Sequence, residues 1–208
     1  MLWAARERIQ DLRQDRRFRY IIVFKNHGTA AGASLDHSHS QLIALPIVPR
    51  EVRDEVDGAK AHFVAKERCV FCDILRQETR DGHRLIAENA DMVAVAPLRA
   101  ALSVRDVAAA AAARGASSSN APRHEYASLA RLLGDILRRI NRALGSPPYN
   151  LLIHTAPIGE SAIGLLSLAR GDHPEADEVA GVRMGNRVLS QSDVAPREAA
   201  QVLRDART

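Results

Sequence analysis

The chain has 208 residues, 29 Lys and Arg against 25 Asp and Glu, and a formal charge of +4. Its 46% apolar and 26% charged residues exclude a disordered chain and allow one sizeable core. No apolar run approaches the roughly 18 residues of a membrane helix. The first 17 residues are charged from Arg6 onward and hold no signal-peptide core, so a cytoplasmic location with no membrane partner is expected.

In chain order, residues 4–17 are charged and helix-friendly, with Ile9 and Leu12 on one face. Tyr20 to Phe24 is a β-branched and aromatic run, read as a buried strand. Residues 25–36 contain Asn26, Gly28 and Gly32 and read as a loop. Gln41 to Leu45 begins a second strand, stopped by Pro46 and Pro49, and residues 50–67 look helical. Cys69-Val-Phe-Cys72 opens a new unit, followed by two strands, Arg84–Glu88 and Met92–Ala96, around Asn89. Ala108 to Ala113 are six consecutive alanines, by composition helix-prone or linker. From Tyr126 to Ile140 apolar residues recur at helical spacing, and the helix ends near Gly145. Tyr149 to His154 reads as a strand, 158–193 shows little sustained pattern, and 196–206 reads as a short helix opened by Pro196.

The segment with the most chemistry is His37-Ser-His39-Ser-Gln41, between a glycine-containing loop and an apolar strand. On extended chain alternate residues face one side, so His37, His39 and Gln41 can share a face. Two imidazoles and an amide can bind metal, hold phosphate oxygens, or supply a nucleophile with a supporting donor. An imidazole that attacks phosphorus needs one free nitrogen and an acceptor for its other N–H. The plain alternative is a surface histidine pair. Cys69 and Cys72 have the spacing of half a zinc site, or of two buried thiols or a redox pair. The scattered arginines fit anionic substrates and give no sign of a nucleic-acid partner.

The run FKNHGTAAGASLDHSHSQLIALPIVP, residues 24–49, resembles the signature of galactose-1-phosphate uridylyltransferases, in the histidine-triad superfamily. That signature is His-x-His-x-Gln after an Asn-x-Gly loop, then a strand and a Pro. The resemblance implies that His39 is the nucleophile and Gln41 a donor to phosphate oxygens. It implies substrate contacts at Asn26, Gly28, Ser38 and Gln41, and a zinc ligand at His37. Glu55, sixteen residues past His39, holds the spacing of a second metal site in some members. ADP-glucose phosphorylase and similar relatives carry zinc on a pair like Cys69 and Cys72 plus two distant histidines. YNLLIHTAP also matches the family, and makes His154 a metal ligand or a structural residue.

The family continues with a second His-x-His, which residues 158–193 lack. Codons for Ala101–Arg114 read one nucleotide later can spell RFPFETWLLPRRH, and the same shift over Ile163–Asp193 can spell SAYSHWHVEIIPKLTK. Compensating frameshifts are therefore expected at about 100–121 and 158–195; the encoding DNA tests this by direct reading. These stretches are also expected to pack poorly.

The resemblance implies an α+β fold, an antiparallel sheet with packed helices, histidine-triad-like and incomplete. Residues 1–58 would end a first half and carry the active-site motif, and 59–208 would form a second half. The implied enzyme moves UMP between a UDP-hexose and a hexose 1-phosphate in galactose metabolism, through a uridylyl-histidine intermediate. Alternatives are an ADP-sugar phosphorylase or adenylyltransferase, or an inactive remnant. Zinc is the expected cofactor, nucleotide sugar and sugar 1-phosphate the substrates, and a homodimer an open alternative. With the upstream half of the signature domain absent, weak or no activity is expected of this chain alone.

Overall fold

A computed structural model describes residues 1–35, 37–96, 110–113, 123–159, 181–185 and 196–206. Its centre is one seven-stranded sheet in the order β2-β1-β6-β7-β5-β4-β3. The strands are β1 (Tyr20–His27), β2 (Gln41–Leu45), β3 (Leu85–Glu88), β4 (Met92–Val95), β5 (Ala110–Ala113), β6 (Tyr149–His154) and β7 (Gly181–Gly185). Every pairing is antiparallel. The helices are α1 (Leu2–Leu12), α2 (Arg50–Lys66), α3 (Val70–Asp81), α4 (Arg123–Leu144) and α5 (Pro196–Asp205). The expected α+β class with an antiparallel sheet is what the chain adopts.

The strand at Tyr20 alternates as a half-covered strand should. Ile21 and Val23 turn into the core, and Ile22 and Phe24 turn to the other face, where they are half-buried. Leu151 and Ile153 of β6 extend the same core face. Over it lies α4, whose Leu129, Leu132, Leu133, Ile136 and Ile140 form its buried stripe. Leu2 and Ile9 of α1 and Ala199, Ala200 and Leu203 of α5 complete the cluster. The ring of Trp3 meets that of Tyr126 edge-on at 5.8 Å, joining α1 to α4.

Several elements depart from the expectations. β1 runs on to His27, through the first residues of the stretch read as a loop, because pairing with β6 continues to His27↔Tyr149. The helix predicted over 4–17 stops at Leu12, because Asp15 Oδ1 accepts from the Arg17 N–H at 3.0 Å and offers the chain a turn instead. Alanine favours helix, yet Ala110–Ala113 is a strand, paired with Met92–Val95 of β4 and, at Ala111, with Val182 of β7. Ladder partners on both sides satisfy its backbone, which outweighs a propensity of a few tenths of a kcal/mol per residue. β7, in the stretch with no sustained pattern, pairs with β6 from Asn150↔Gly185 to His154↔Gly181. The rest of both proposed frameshifted stretches, and the expectation of poor packing there, lie outside the described residues.

The division between 58 and 59 passes through α2, and one sheet runs from β2 on one side of it to β3 on the other. Two ion pairs, the first buried and the second with Asp135 partly exposed, brace the β3 end. Arg84 Nε donates to Glu78 Oε1 at 3.0 Å, and Arg84 Nη1 donates to the Ala96 carbonyl at 3.1 Å. Arg139, 2% exposed, pairs with Asp135 at 2.7 Å and donates to the Ile86 carbonyl at 3.0 Å.

Candidate functional site

The loop before the motif is shaped by a glycine and two asparagines. Gly28 has φ +82°, and a Cβ there would meet the Pro148 Cβ at 3.0 Å, so both backbone angle and space call for glycine. Asn150 Nδ2 donates to Asn26 Oδ1 and to the Ala31 carbonyl, both at 2.9 Å. Asn26 Nδ2 in turn donates to the Gly32 carbonyl at 3.3 Å. Asn26 and Gly28, read from the sequence as substrate contacts, thus hold the 28–32 turn against β6.

The chain then runs through His37–Ser40 into β2, the edge strand. The rings of His37 and His39 lie 5.7 Å apart, centre to centre, tilted by 54°. His37 is exposed and His39 half-buried. His39 Nδ1 is 3.1 Å from the His37 carbonyl oxygen. A carbonyl oxygen only accepts, so this contact puts the proton on Nδ1 and leaves the Nε2 lone pair free. Lys25 Nζ donates to Ser38 Oγ at 2.6 Å and to the His39 carbonyl at 3.3 Å. A groove of about 380 Å³ runs between α1 and the start of β2, with His39, Gln41, Ser38 and Arg8 among its walls.

The expected metal ligands, which the resemblance assigns to more than one site, are not completed into a site by other described side chains. Among the described residues no group of three or more His, Cys, Asp or Glu side chains is placed to hold a metal. Cys69 caps α3, its Sγ accepting from the Cys72 N–H at 3.4 Å. Hydrogen bonding from Cys72 holds the Cys69 thiol down at about 6, and the bond to Cys69 together with burial pushes the Cys72 thiol up. Both are free thiols, Cys69 buried. Zinc takes four donors in a structural site. The described residues supply two sulfurs here, so they do not by themselves fit a closed zinc site. Glu55 sits in α2. His154 Nδ1 is 2.9 Å from the hydroxyl of fully buried Tyr20. His37 shares its surroundings with His39 rather than with the thiols.

Three residues of the site were not read from the sequence: Lys25, Asn150 and Arg8. Lys25 and Asn150 lie on strands beside the motif loop, and only the β1–β2 and β1–β6 pairings bring them to it.

A family model described as a domain of unknown function, DUF4921, matches residues 3–128. ADP-glucose phosphorylase of Arabidopsis thaliana is 32% identical over 207 residues, 99% of this chain and 57% of that protein. Galactose-1-phosphate uridylyltransferase of Thermotoga maritima is 31% identical over 99 residues, 48% of this chain and 30% of that protein. The crystal structure of the Arabidopsis ADP-glucose phosphorylase with bound ADP-glucose superposes with a TM-score of 0.79 at 30% identity. It matches 98% of this chain, which covers 64% of that one. A uridylyltransferase structure at 23% identity and a TM-score of 0.81 shares the fold. The chain thus spans little more than half the length of the Arabidopsis relative and less than a third of the Thermotoga one.

Proposed function

Since the chain belongs to the DUF4921 family, which it matches from residue 3 to residue 128, and has uridylyltransferases and ADP-glucose phosphorylase as relatives, we propose that it carries a nucleotidyl-transfer site with His39 as nucleophile. The observation that carries this reading is the Nδ1 contact of His39 with the His37 carbonyl. It holds the ring in the one tautomer that presents Nε2 to an electrophile.

In the first step Nε2 attacks the α-phosphorus of a nucleoside-diphosphate sugar. The N–P bond forms, the bond from phosphorus to the bridging oxygen breaks, and sugar 1-phosphate leaves with that electron pair. The imidazole becomes cationic on phosphorylation, and the His37 carbonyl accepts from its Nδ1–H throughout. In the second step an oxygen of the acceptor attacks the same phosphorus, the N–P bond breaks and the free imidazole returns. Catalysis of such displacement is mainly positioning and neutralisation of charge. Gln41, beside the groove, is the donor for the phosphate oxygens in this reading. Ser38 forms part of the groove wall beside it.

Two donors share this chemistry. The motif resemblance points to UDP-hexose with hexose 1-phosphate as acceptor, moving UMP. The match over 99% of the chain to ADP-glucose phosphorylase favours ADP-glucose as the second donor, with phosphate as acceptor. The described residues do not gather the four donors of a structural zinc site.

The test is covalent labelling. The purified chain is incubated with UDP-glucose or ADP-glucose carrying a radiolabelled α-phosphate, then denatured and mapped. Since weak activity is expected of this chain alone, the expected result is slow, partial labelling: an acid-labile, base-stable label on His39 from one of the two donors, lost in His39→Asn. No label from either donor at millimolar concentration sinks the reading and leaves the chain as a remnant of an active relative.

A further inference from the structure

The β1–β2 ladder ends at the pair Phe24↔Gln41. Beyond that pair the segment bearing His39 has left the ladder, and residues 37–40 lie outside any strand. The backbone of Lys25, the next residue of β1, is still held, because Lys25 faces Leu151 across the β1–β6 pairing. From that fixed place its ammonium reaches both Ser38 Oγ, at 2.6 Å, and the His39 carbonyl, at 3.3 Å.

We infer that Lys25 is the positioning residue of this site: it ties the segment carrying His39 to the sheet where strand pairing no longer does. The inference rests on the nucleotidyl-transfer reading. Its physical content is separate, namely the order of residues 37–40.

The chemistry of the two bonds supports this assignment. Both are charge-assisted, stronger than neutral hydrogen bonds. One grips a side chain and the other the backbone of the next residue, so together they restrict the peptide between Ser38 and His39. The His37 carbonyl then sets the ring of His39 from the other side. An imidazole held at both its backbone and its Nδ1 has little freedom left to miss a phosphorus. A misplacement of about 1 Å is enough to cost roughly a hundredfold in rate. The ammonium also leaves a positive charge beside the segment that approaches a dianionic substrate. Lys25 itself lies outside the hydrophobic cluster, so its removal leaves the core contacts in place.

The test compares the full chain with Lys25→Met and Lys25→Arg. Backbone 15N relaxation of residues 37–40 is measured in the free protein. The rate constant and half-saturating donor concentration of His39 labelling are measured with the donor that labels the wild type. Melting is followed by circular dichroism. In Lys25→Met the order parameters at Ser38 and His39 are expected to fall from about 0.85 to below about 0.6. The labelling rate constant is expected to fall by roughly a hundredfold, with half-saturation and melting temperature unchanged. Lys25→Arg, which keeps charge and reach, is expected to recover most of both. Unchanged order in Lys25→Met overturns the inference, as does a rate loss that tracks a loss of melting temperature and is not rescued by Arg. If the wild type labels with neither donor, the nucleotidyl reading falls and the relaxation measurement alone decides the role of Lys25.

Discussion

His39 works through its two nitrogens, and each is set by a different neighbour class. Nδ1 is committed to a backbone carbonyl two residues earlier, a local contact that any His-x-His on bent chain can make. Nε2 is left for chemistry, and what lies opposite it is decided by the groove against α1. Asp15 is likewise set by a local neighbour, two residues on. The Arg17 side chain, with its backbone N–H, holds the Asp15 carboxyl down at about 2, below its ordinary 3.8. Because the folded value is the lower one, the contribution of Asp15 to stability is present above about 3.8. It is lost as pH falls through about 2. Asp15 is expected to titrate near 2 by carboxyl carbon NMR and to return to the ordinary range in Arg17→Ala. An unmoved midpoint in that variant would remove the ion pair as its cause.

At the scale of elements, the turn from α3 into β3 shows how a charge can be buried and remain structural. Glu78 and Arg84 are 4% and 8% exposed, and the Glu78 carboxylate accepts from the Arg84 backbone N–H and from Arg84 Nε. Gly82, with φ +69°, ends the helix between them and turns the chain back. Removing one partner leaves an uncompensated charge inside the protein. Arg84→Met is therefore expected to cost about 3–5 kcal/mol in urea unfolding. The double change Glu78→Gln with Arg84→Met is expected to recover most of that loss. A single variant as stable as the wild type would show the pair to be solvated. The β5 strand makes the complementary point. Its alanines carry no strand signal, and their conformation is imposed by β4 and β7 on either side.

At the scale of the molecule, one hydrophobic cluster joins α1, α4, α5 and strands from both ends of the sheet. Ile136, 1% exposed, lies in that cluster on α4, which also carries the Tyr126 that meets Trp3. A shared core predicts a single cooperative transition. Ile136→Ala is expected to lower stability by about 2–5 kcal/mol. It should shift the Trp3 fluorescence and far-UV circular dichroism transitions together. Separate transitions would show that the β1–β2 end and the β3–β4 end unfold as independent units. Among the described residues no helix is long and apolar enough to cross a membrane.

Much of this architecture was legible from residue order. The strand Tyr149–His154 and the helix Pro196–Asp205 follow directly from apolar periodicity and from Pro196 at a helix start. So does α4, whose apolar stripe recurs at helical spacing from Tyr126 to Ile140. The His37-x-His39-x-Gln41 motif was legible as residues, but not their placement: His39 and Gln41 line one groove, and His37 is exposed on a segment outside any strand. Local periodicity and local turn chemistry are properties of neighbouring residues, so the chain alone determined them. Tertiary structure alone decided that a run of alanines is a strand and that Asn26 and Gly28 brace a turn against Pro148 and Asn150. It also decided that Lys25 grips the His39 segment. Each of these depends on which strand lies beside which, and pairing between segments far apart in sequence leaves no period in the residues it joins.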